Sequence, residues 1–307
     1  MGSVRDLGVP KANREATSVS LDLREGSLLA TAMCGHIIRT ERLRAVVIKG
    51  PIATRWGLRP QRPSGDVDIL TDLDGEVALM RILAVRGWRR RPTDSSEIVP
   101  AHSSTLYHPS WNVDIDIHTW YPGCEADRDD VLRRILSTSV QEHVAGVSVP
   151  VPGVAAMAVI QALHSLRSPW LSQSRADLAH LLASPDLPDF ASVFEFAEAT
   201  EATGALRPFL EAAYGDQLLD RPIAEPSAEW TSRLGERVPG LLRWRAIRRA
   251  TGRRRLTLIY RAVIPSRETM ASRDLRLAQG TAASYWLAVW RRIVSFLRWL
   301  VVSQRRR

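Results

Sequence analysis

Between Ala45 and Leu70 the chain sets two short apolar runs around a tight connection, and the second run carries a charge pattern that a purely structural strand has no use for. Residues 45–48 (Ala-Val-Val-Ile) are β-branched and apolar and stop at Lys49-Gly50, which is how a buried strand feeding a turn reads. Residues 66–71 form the second run, with Asp66 and Asp68 two positions apart. Side chains on a strand repeat with a period of two, so both carboxylates leave one face while Val67 and Ile69 point into the core. Like charges on adjacent same-face positions repel. A divalent cation between them turns that repulsion into a site, because hard cations take carboxylate oxygens.

A later stretch repeats the theme. In Trp111-Asn-Val-Asp-Ile-Asp-Ile-His118 the period is again two, with Val113, Ile115 and Ile117 on one face and Asn112, Asp114, Asp116 and His118 on the other. Alone, such a strand reads as a solvent-facing edge; beside an earlier Asp-x-Asp strand it reads as an active-site wall. His118 is placed either to orient a carboxylate or to make a structural hydrogen bond. After the 45–48 strand, residues 51–58 can make a short helix with Pro51 in its first turn, its free N–H groups directed at a phosphate. Residues 59–65 are a loop by composition, and Arg59 and Arg62 approach the carboxylate strand, within reach of phosphate oxygens or of Asp66 itself. Ser64 can bond phosphate or cap the entry to the strand.

These residues together resemble the nucleotidyltransferase superfamily that includes DNA polymerase beta. Within it, Lys49-Gly50, then Arg62-x-Ser64-x-Asp66-x-Asp68, then Asp116-Ile117-His118 is most similar to the uncharacterised-nucleotidyltransferase family, whose pattern is Lys-Gly, Arg, Asp-x-Asp and a late Asp-Leu-His. Pro51 stands where many members carry a second small residue. The resemblance spans about residues 28–180. It implies Mg²⁺-dependent transfer of a nucleoside monophosphate from an NTP, ATP first among them, to a hydroxyl or phosphate on a small-molecule or peptide/protein acceptor. It implies that Asp66, Asp68 and Asp116 are catalytic and hold two Mg²⁺ ions, and that Lys49, Gly50, Arg62 and Ser64 bind the nucleotide. Asp116 is the match for the third carboxylate, with Asp114 its competitor about 7 Å back along the strand. Toxin-type nucleotidyltransferases that modify tRNA share a similar pattern, so an RNA acceptor is an alternative. A non-catalytic NTP-binding scaffold anchored by a basic tail is another.

Composition bounds the rest. The 307 residues suit one large domain or two small ones, and two cysteines, Cys34 and Cys124, give neither a disulfide framework nor metal-ligand spacing. The first 26 residues lack an apolar signal-peptide core and no run of 18 apolar residues occurs, so the expectation is a cytoplasmic protein without a transmembrane segment. Of 42 basic residues only Lys11 and Lys49 are lysines, which singles out Lys49 at the strand end, where a compact ammonium and a planar guanidinium are not equivalent. The net charge of +9 is uneven: residues 243–307 hold 17 Arg and two acidic residues, so the remaining residues sum to −6. That asymmetry suggests an anionic partner for the tail.

The expected fold is α/β (α+β), a small mixed β-sheet core followed by a mostly helical domain. A loose N-terminus over residues 1–20 precedes a helix over 25–43, whose apolar face includes Leu28, Leu29, Ala32, Met33 and Ile37, with His36 read as a core or edge histidine. A helix over 75–87 turns Val77, Leu79, Met80, Ile82 and Leu83 inward and ends at Gly87. After a strand at 104–107 and the one at 111–118, residues 147–152 read as a last strand leaving the sheet, Pro150 and Pro152 being tolerated at an exit. Helical periodicity dominates from Gly153, at about 153–167, 175–184, 189–202, 204–214, 239–262 and 281–302, so the boundary is set near residue 150: 1–150 catalytic, 151–307 helical with a basic amphipathic tail. The pair Ala162–Arg167 and Arg175–His180 resembles the family's two helices carrying a His and an Arg/Asp, with Asp177 or Arg175 at a cleft wall or in an interhelical pair. In the last helix Trp286, Val289, Trp290, Ile293, Phe296, Leu297, Leu300 and Val301 face one way and Arg291, Arg292 and Arg298 the other. That fits an interfacial membrane helix over 284–307 or a helix packed on its own domain. RNA contact through residues 243–307 is the other role open to the tail.

Overall fold

The period-two runs form the strands expected of them, and their pairing builds one mixed sheet. The structure, a computed structural model, describes residues 21–92, 103–218, 221–234, 247–271, 277 and 281–304. The expectations for residues 1–20, for Arg305–Arg307, for 239–246 and for the side chains of the last helix from residue 295 onward lie outside the described residues. Strands β1 (Ala45–Ile48), β2 (Asp66–Thr71), β3 (Arg89–Arg90), β4 (Ser103–Tyr107) and β5 (Asp114–His118) associate in the order β1-β2-β5-β4-β3. β2 and β5 run parallel; the other neighbours are antiparallel. A separate hairpin joins β6 (Val140–Val144) to β7 (Val147–Val151). The segment read as a strand leaving the sheet is therefore β7, hydrogen-bonded to a partner of its own. That partner is hard to see in the sequence, because Val-Gln-Glu-His-Val carries only its last valine into the core.

The first helix, α1 (Leu23–Thr40), starts at a capping box in which Asp22 and Glu25 satisfy each other's backbone N–H. It buries Ala32, Ile37 and Ile38 but leaves Leu29 and His36 exposed, so the apolar face is narrower than its spacing suggested. α1 lies close enough to β7 that a Cβ at Gly35 would come within 2.6 Å of the Val149 side chain. α2 (Gly50–Arg55) follows the Lys49-Gly50 turn, and both turn residues have positive φ, 59° and 55°. α3 (Leu73–Val85) buries Leu79 and Leu83 as expected, while Val77 stands exposed; Met80 and Ile82 are half-buried. α4 (Arg128–Ser137) is a charged helix that sequence reading passed over, anchored by Val131, Leu132 and Ile135.

From Gly153 the chain is helical: α5 (Val154–Leu166), α6 (Ser172–Leu182), α7 (Phe190–Ala199), α8 (Thr203–Tyr214) and α9 (Ala228–Leu234). α5 buries ten of its residues. A helix hydrophobic nearly all round belongs at the centre of a molecule. One contiguous apolar core accordingly runs from the sheet residues Val47, Ile69 and Ile115 through α5 to Phe209 and Trp230. The basic tail supplies α10 (Gly252–Val263), α11 (Arg267–Ala271) and α12 (Ala282–Gln304). No described helix is long and apolar enough to cross a membrane.

Candidate active site

Within each strand the period of two sets the carboxylates on one face; the parallel register of β2 and β5 brings the two faces together. Asp66 lies opposite Asp114, Asp68 opposite Asp116, and Leu70 opposite His118. β1 pairs Ile48 with Asp68, which delivers the next residue, Lys49, to the same place. Lys49 Nζ donates to Asp68 Oδ1 at 2.7 Å, with both side chains buried, and lies 3.4 Å from Nδ1 of His164 on α5. His118 Nε2 is 2.8 Å from that same Asp68 oxygen. A carboxylate can only accept there, so the imidazole carries its proton on Nε2 and orients Asp68.

The electrostatics follow from this packing. Burial works against the charge on Asp68, but Lys49 and then His118 outweigh it, so its carboxyl is held far below the usual carboxylate range. Burial likewise opposes the Lys49 charge and the Asp68 carboxylate overcomes it, so the ammonium titrates above its ordinary value. Asp66 goes the other way: burial, reinforced by Asp68 and Asp116, pushes its pKa up against the pull of Lys49 and a hydroxyl bond from Ser64 at 3.3 Å. The His164 imidazole is held well below its ordinary value by burial, with Lys49 and Arg167 adding to it.

Two acids competed for the third position, and their surroundings differ. Asp114 is ion-paired to Arg91, which follows β3 at the far edge of the sheet. Asp116 has one carboxylate oxygen, Oδ1, buried and without a hydrogen-bond partner among the described residues. A buried acceptor left in that state costs free energy unless something fills it. Asp68, Asp116 and His118 each offer one ligand atom, all within 4.8 Å of one another, and they are a group among the described residues able to hold a metal ion. An unfilled buried carboxylate oxygen beside a second carboxylate suits a hard divalent cation. Asp66 stands outside that trio, on the same face and bonded to Ser64.

The nucleotide-side residues are arranged less simply than their sequence suggested. Arg62 makes a two-armed ion pair with Asp177 on α6, its Nη2 at 2.6 Å from Oδ2 and its Nη1 on Oδ1. Gln173, with its amide oxygen turned to Arg62, accepts from Nε at 3.1 Å and Nη2 at 2.9 Å. Arg62 is thus bound to α6, and Asp177 rather than Arg175 is the residue of that helix that reaches the loop; Arg175 bonds the carbonyls of Pro169 and Trp170. Ser64 is buried and accepts from Arg59 at 3.4 Å. Gly50 keeps open space where a Cβ would stand. Sequence reading did not reach Arg91 or Tyr121, the latter buried with its hydroxyl on the Ile160 carbonyl and its ring centroid 6.0 Å from the Lys49 ammonium. No local pattern marks either; both are brought in by long-range packing. A cavity of about 230 Å³ opens beside the loop, lined among others by Ser27, Pro51, Thr54, Arg62 and Ser64.

No family model and no curated protein matches the chain. Several solved structures overlap it, among them the following three. An antigenic nucleotidyltransferase-like protein from Paracoccidioides brasiliensis is 12% identical over 61% of this chain and 93% of its own, with a TM-score of 0.36. The lincosamide antibiotic adenylyltransferase LnuA, lincomycin-bound, is 13% identical over 48% and 91%, with a TM-score of 0.33. The antibiotic-resistance factor ANT(2'')-Ia is 12% identical over 64% and 93%, with a TM-score of 0.34. Overlaps of that size carry no weight in assigning a function, which rests on the site itself.

Proposed function

We propose that the chain is a Mg²⁺-dependent nucleotidyltransferase that moves a nucleoside monophosphate from an NTP, ATP foremost, to a hydroxyl or phosphate on a small-molecule or peptide/protein acceptor. The observation that carries the reading is the register of β2 on β5: Asp68 faces Asp116 across the ladder, and Asp116 keeps a buried oxygen unpartnered. Asp68 and Asp116 would hold the cation, with His118 and Asp66 beside it, and when bound it would neutralise charge on the triphosphate and on the attacking oxygen. The acceptor oxygen forms a bond to the α-phosphorus, the bond to the bridging oxygen breaks, and pyrophosphate leaves. The proton of an acceptor hydroxyl passes to Asp116. Lys49, poised between Asp68 and His164, with the Gly50 amide, meets the charge of the departing pyrophosphate. Arg62 joins them by exchanging Asp177 for phosphate, which presents the same two-oxygen edge to a guanidinium. Ser64 steadies Asp66.

We assign residues 1–150 as the catalytic part and 151–307 as the helical part with its basic tail. The division is one of element type, since His164 and Asp177 reach back to the carboxylate strands and loop. The compartment of this reading is the cytoplasm, where NTPs are supplied. One observation favours a second reading. The Lys49 ammonium neutralises the Asp68 carboxylate within a buried ion pair, as a non-catalytic NTP-binding scaffold would require.

Incubation with each α-labelled NTP, Mg²⁺ and cell extract separates the two. Label transfer by the wild type that falls by about a thousandfold in Asp116→Asn supports nucleotidyl transfer, and the labelled fraction identifies the acceptor as small molecule, protein or RNA. NTP binding indifferent to Mg²⁺, with no transfer, selects the scaffold.

A further inference from the structure

The tail helix α10 reads Gly-Arg-Arg-Arg-Leu-Thr-Leu-Ile-Tyr-Arg-Ala-Val, with four arginines and no acid. At about 100° per residue, Leu256, Ile259, Tyr260 and Val263 share a stripe roughly 100° wide, and Arg253 and Arg255 flank it on either side. An amphipathic helix packed on its own protein turns such a stripe inward. Here it faces out: the four side chains are between 40% and 69% exposed, and none of the helix's residues is buried. The first turns of α12 behave alike, with Trp286, Leu287 and Trp290 half or more exposed while Val289 is buried. Of the fifteen large apolar side chains that stand exposed among the described residues, seven lie between Leu256 and Trp290. The start of α12 is tied to the chain just after α10 by the Tyr285 hydroxyl on the Pro265 carbonyl at 2.6 Å, and to α11 by Arg267 over the Tyr285 ring.

We infer that α10 and the start of α12 form a docking surface for an anionic phospholipid bilayer. The charge of the segment complements such a surface, since residues 243–307 carry 17 Arg against two acids. Each side-chain type on it has a place there. The aliphatic stripe enters the acyl boundary, Tyr260, Trp286 and Trp290 sit at headgroup depth, and the flanking arginines reach the lipid phosphates. A nucleic acid would use the arginines and stack on the aromatic rings, but it offers nothing to Leu256, Ile259, Val263 and Leu287. A second copy of the chain would set arginine against arginine across the contact.

The test is flotation of the full-length protein with vesicles of phosphatidylcholine, with and without phosphatidylglycerol. The protein is expected to float with the phosphatidylglycerol vesicles and to stay behind with phosphatidylcholine alone. Leu256→Asp with Ile259→Asp, both at exposed positions and so neutral to folding, weakens partitioning by about tenfold or more. Arg253→Glu with Arg255→Glu removes the preference for the anionic lipid. Absence of flotation, or flotation that the aspartate pair leaves unchanged, overturns the inference. Binding to a single-stranded RNA oligomer that the aspartate pair abolishes also overturns it, by giving the stripe to nucleic acid. Flotation does not depend on the nucleotidyl-transfer reading: Asp116→Asn should float as the wild type does.

Discussion

One oxygen of Asp68 receives both the Lys49 ammonium and the His118 imidazole, and this crowding defines the chemistry of the site at the scale of single residues. Removing one member of a buried charge pair leaves the other uncompensated, at a cost of about 3–5 kcal/mol. Lys49→Met should therefore destabilise the fold by about 3 kcal/mol in urea denaturation, with His118 retaining part of the compensation. The pH dependence has a separate source in His164. Its folded pKa is depressed, so the unfolded chain takes up a proton near pH 6.5 while the folded chain remains neutral there. Stability is then fully present above about pH 6.5 and declines as the pH falls towards the folded value, by at most about 1.4 kcal/mol per unit. His164→Gln should flatten that slope, read from urea midpoints between about pH 7.5 and 5.5. Asp68 has its folded pKa depressed too, but its stabilisation is present above the carboxylate range and is lost only in strong acid.

Between elements, one contact fixes where a site loop stands and another seats the first helix. The Arg62–Asp177 pair pins the loop before β2 to α6, and Asp177 is almost wholly buried. Asp177→Ala should cost about 3 kcal/mol by denaturation and lower KM for the NTP, because Arg62 no longer has to leave a carboxylate in order to take phosphate. The packing of α1 on β7 depends on Gly35, whose missing side chain admits Val149. Gly35→Ala should destabilise by about 1–3 kcal/mol, and adding Val149→Ala should recover part of it in a double-mutant cycle. Much at this scale was legible in the chain: β1, β2, α3, α5 and α8 begin and end within a few residues of where periodicity and turn residues put them. β6 and α4 were not, because their apolar content is too small to set a period. The exposed Val77 and Leu29 show the same limit, since spacing gives a face but not whether another element covers all of it.

Across the whole molecule, charge and chemistry are segregated. The carboxylate face lies on the sheet, with α5 reaching it through His164 and α6 holding the loop beside it, while the arginine excess sits in the tail helices. Leu256→Asp with Ile259→Asp should consequently leave the Kd for ATP, measured calorimetrically with Mg²⁺, within about twofold of the wild type, since both side chains of the stripe stand exposed rather than in the buried site. What the sequence determined by itself was local: a strand's period of two put Asp66 with Asp68 and Asp114 with Asp116, Lys49-Gly50 closed β1, and the charge balance separated the tail from the rest. What only the tertiary structure decided was which of those groups meet. Arg91 comes from the far edge of the sheet to neutralise Asp114 and leaves Asp116 with an open oxygen; Asp177 arrives from a helix more than a hundred residues downstream to hold Arg62. Periodicity fixes the direction a side chain takes from its own element. Its partner depends on strand register and helix docking, which are set by the packing of the whole core.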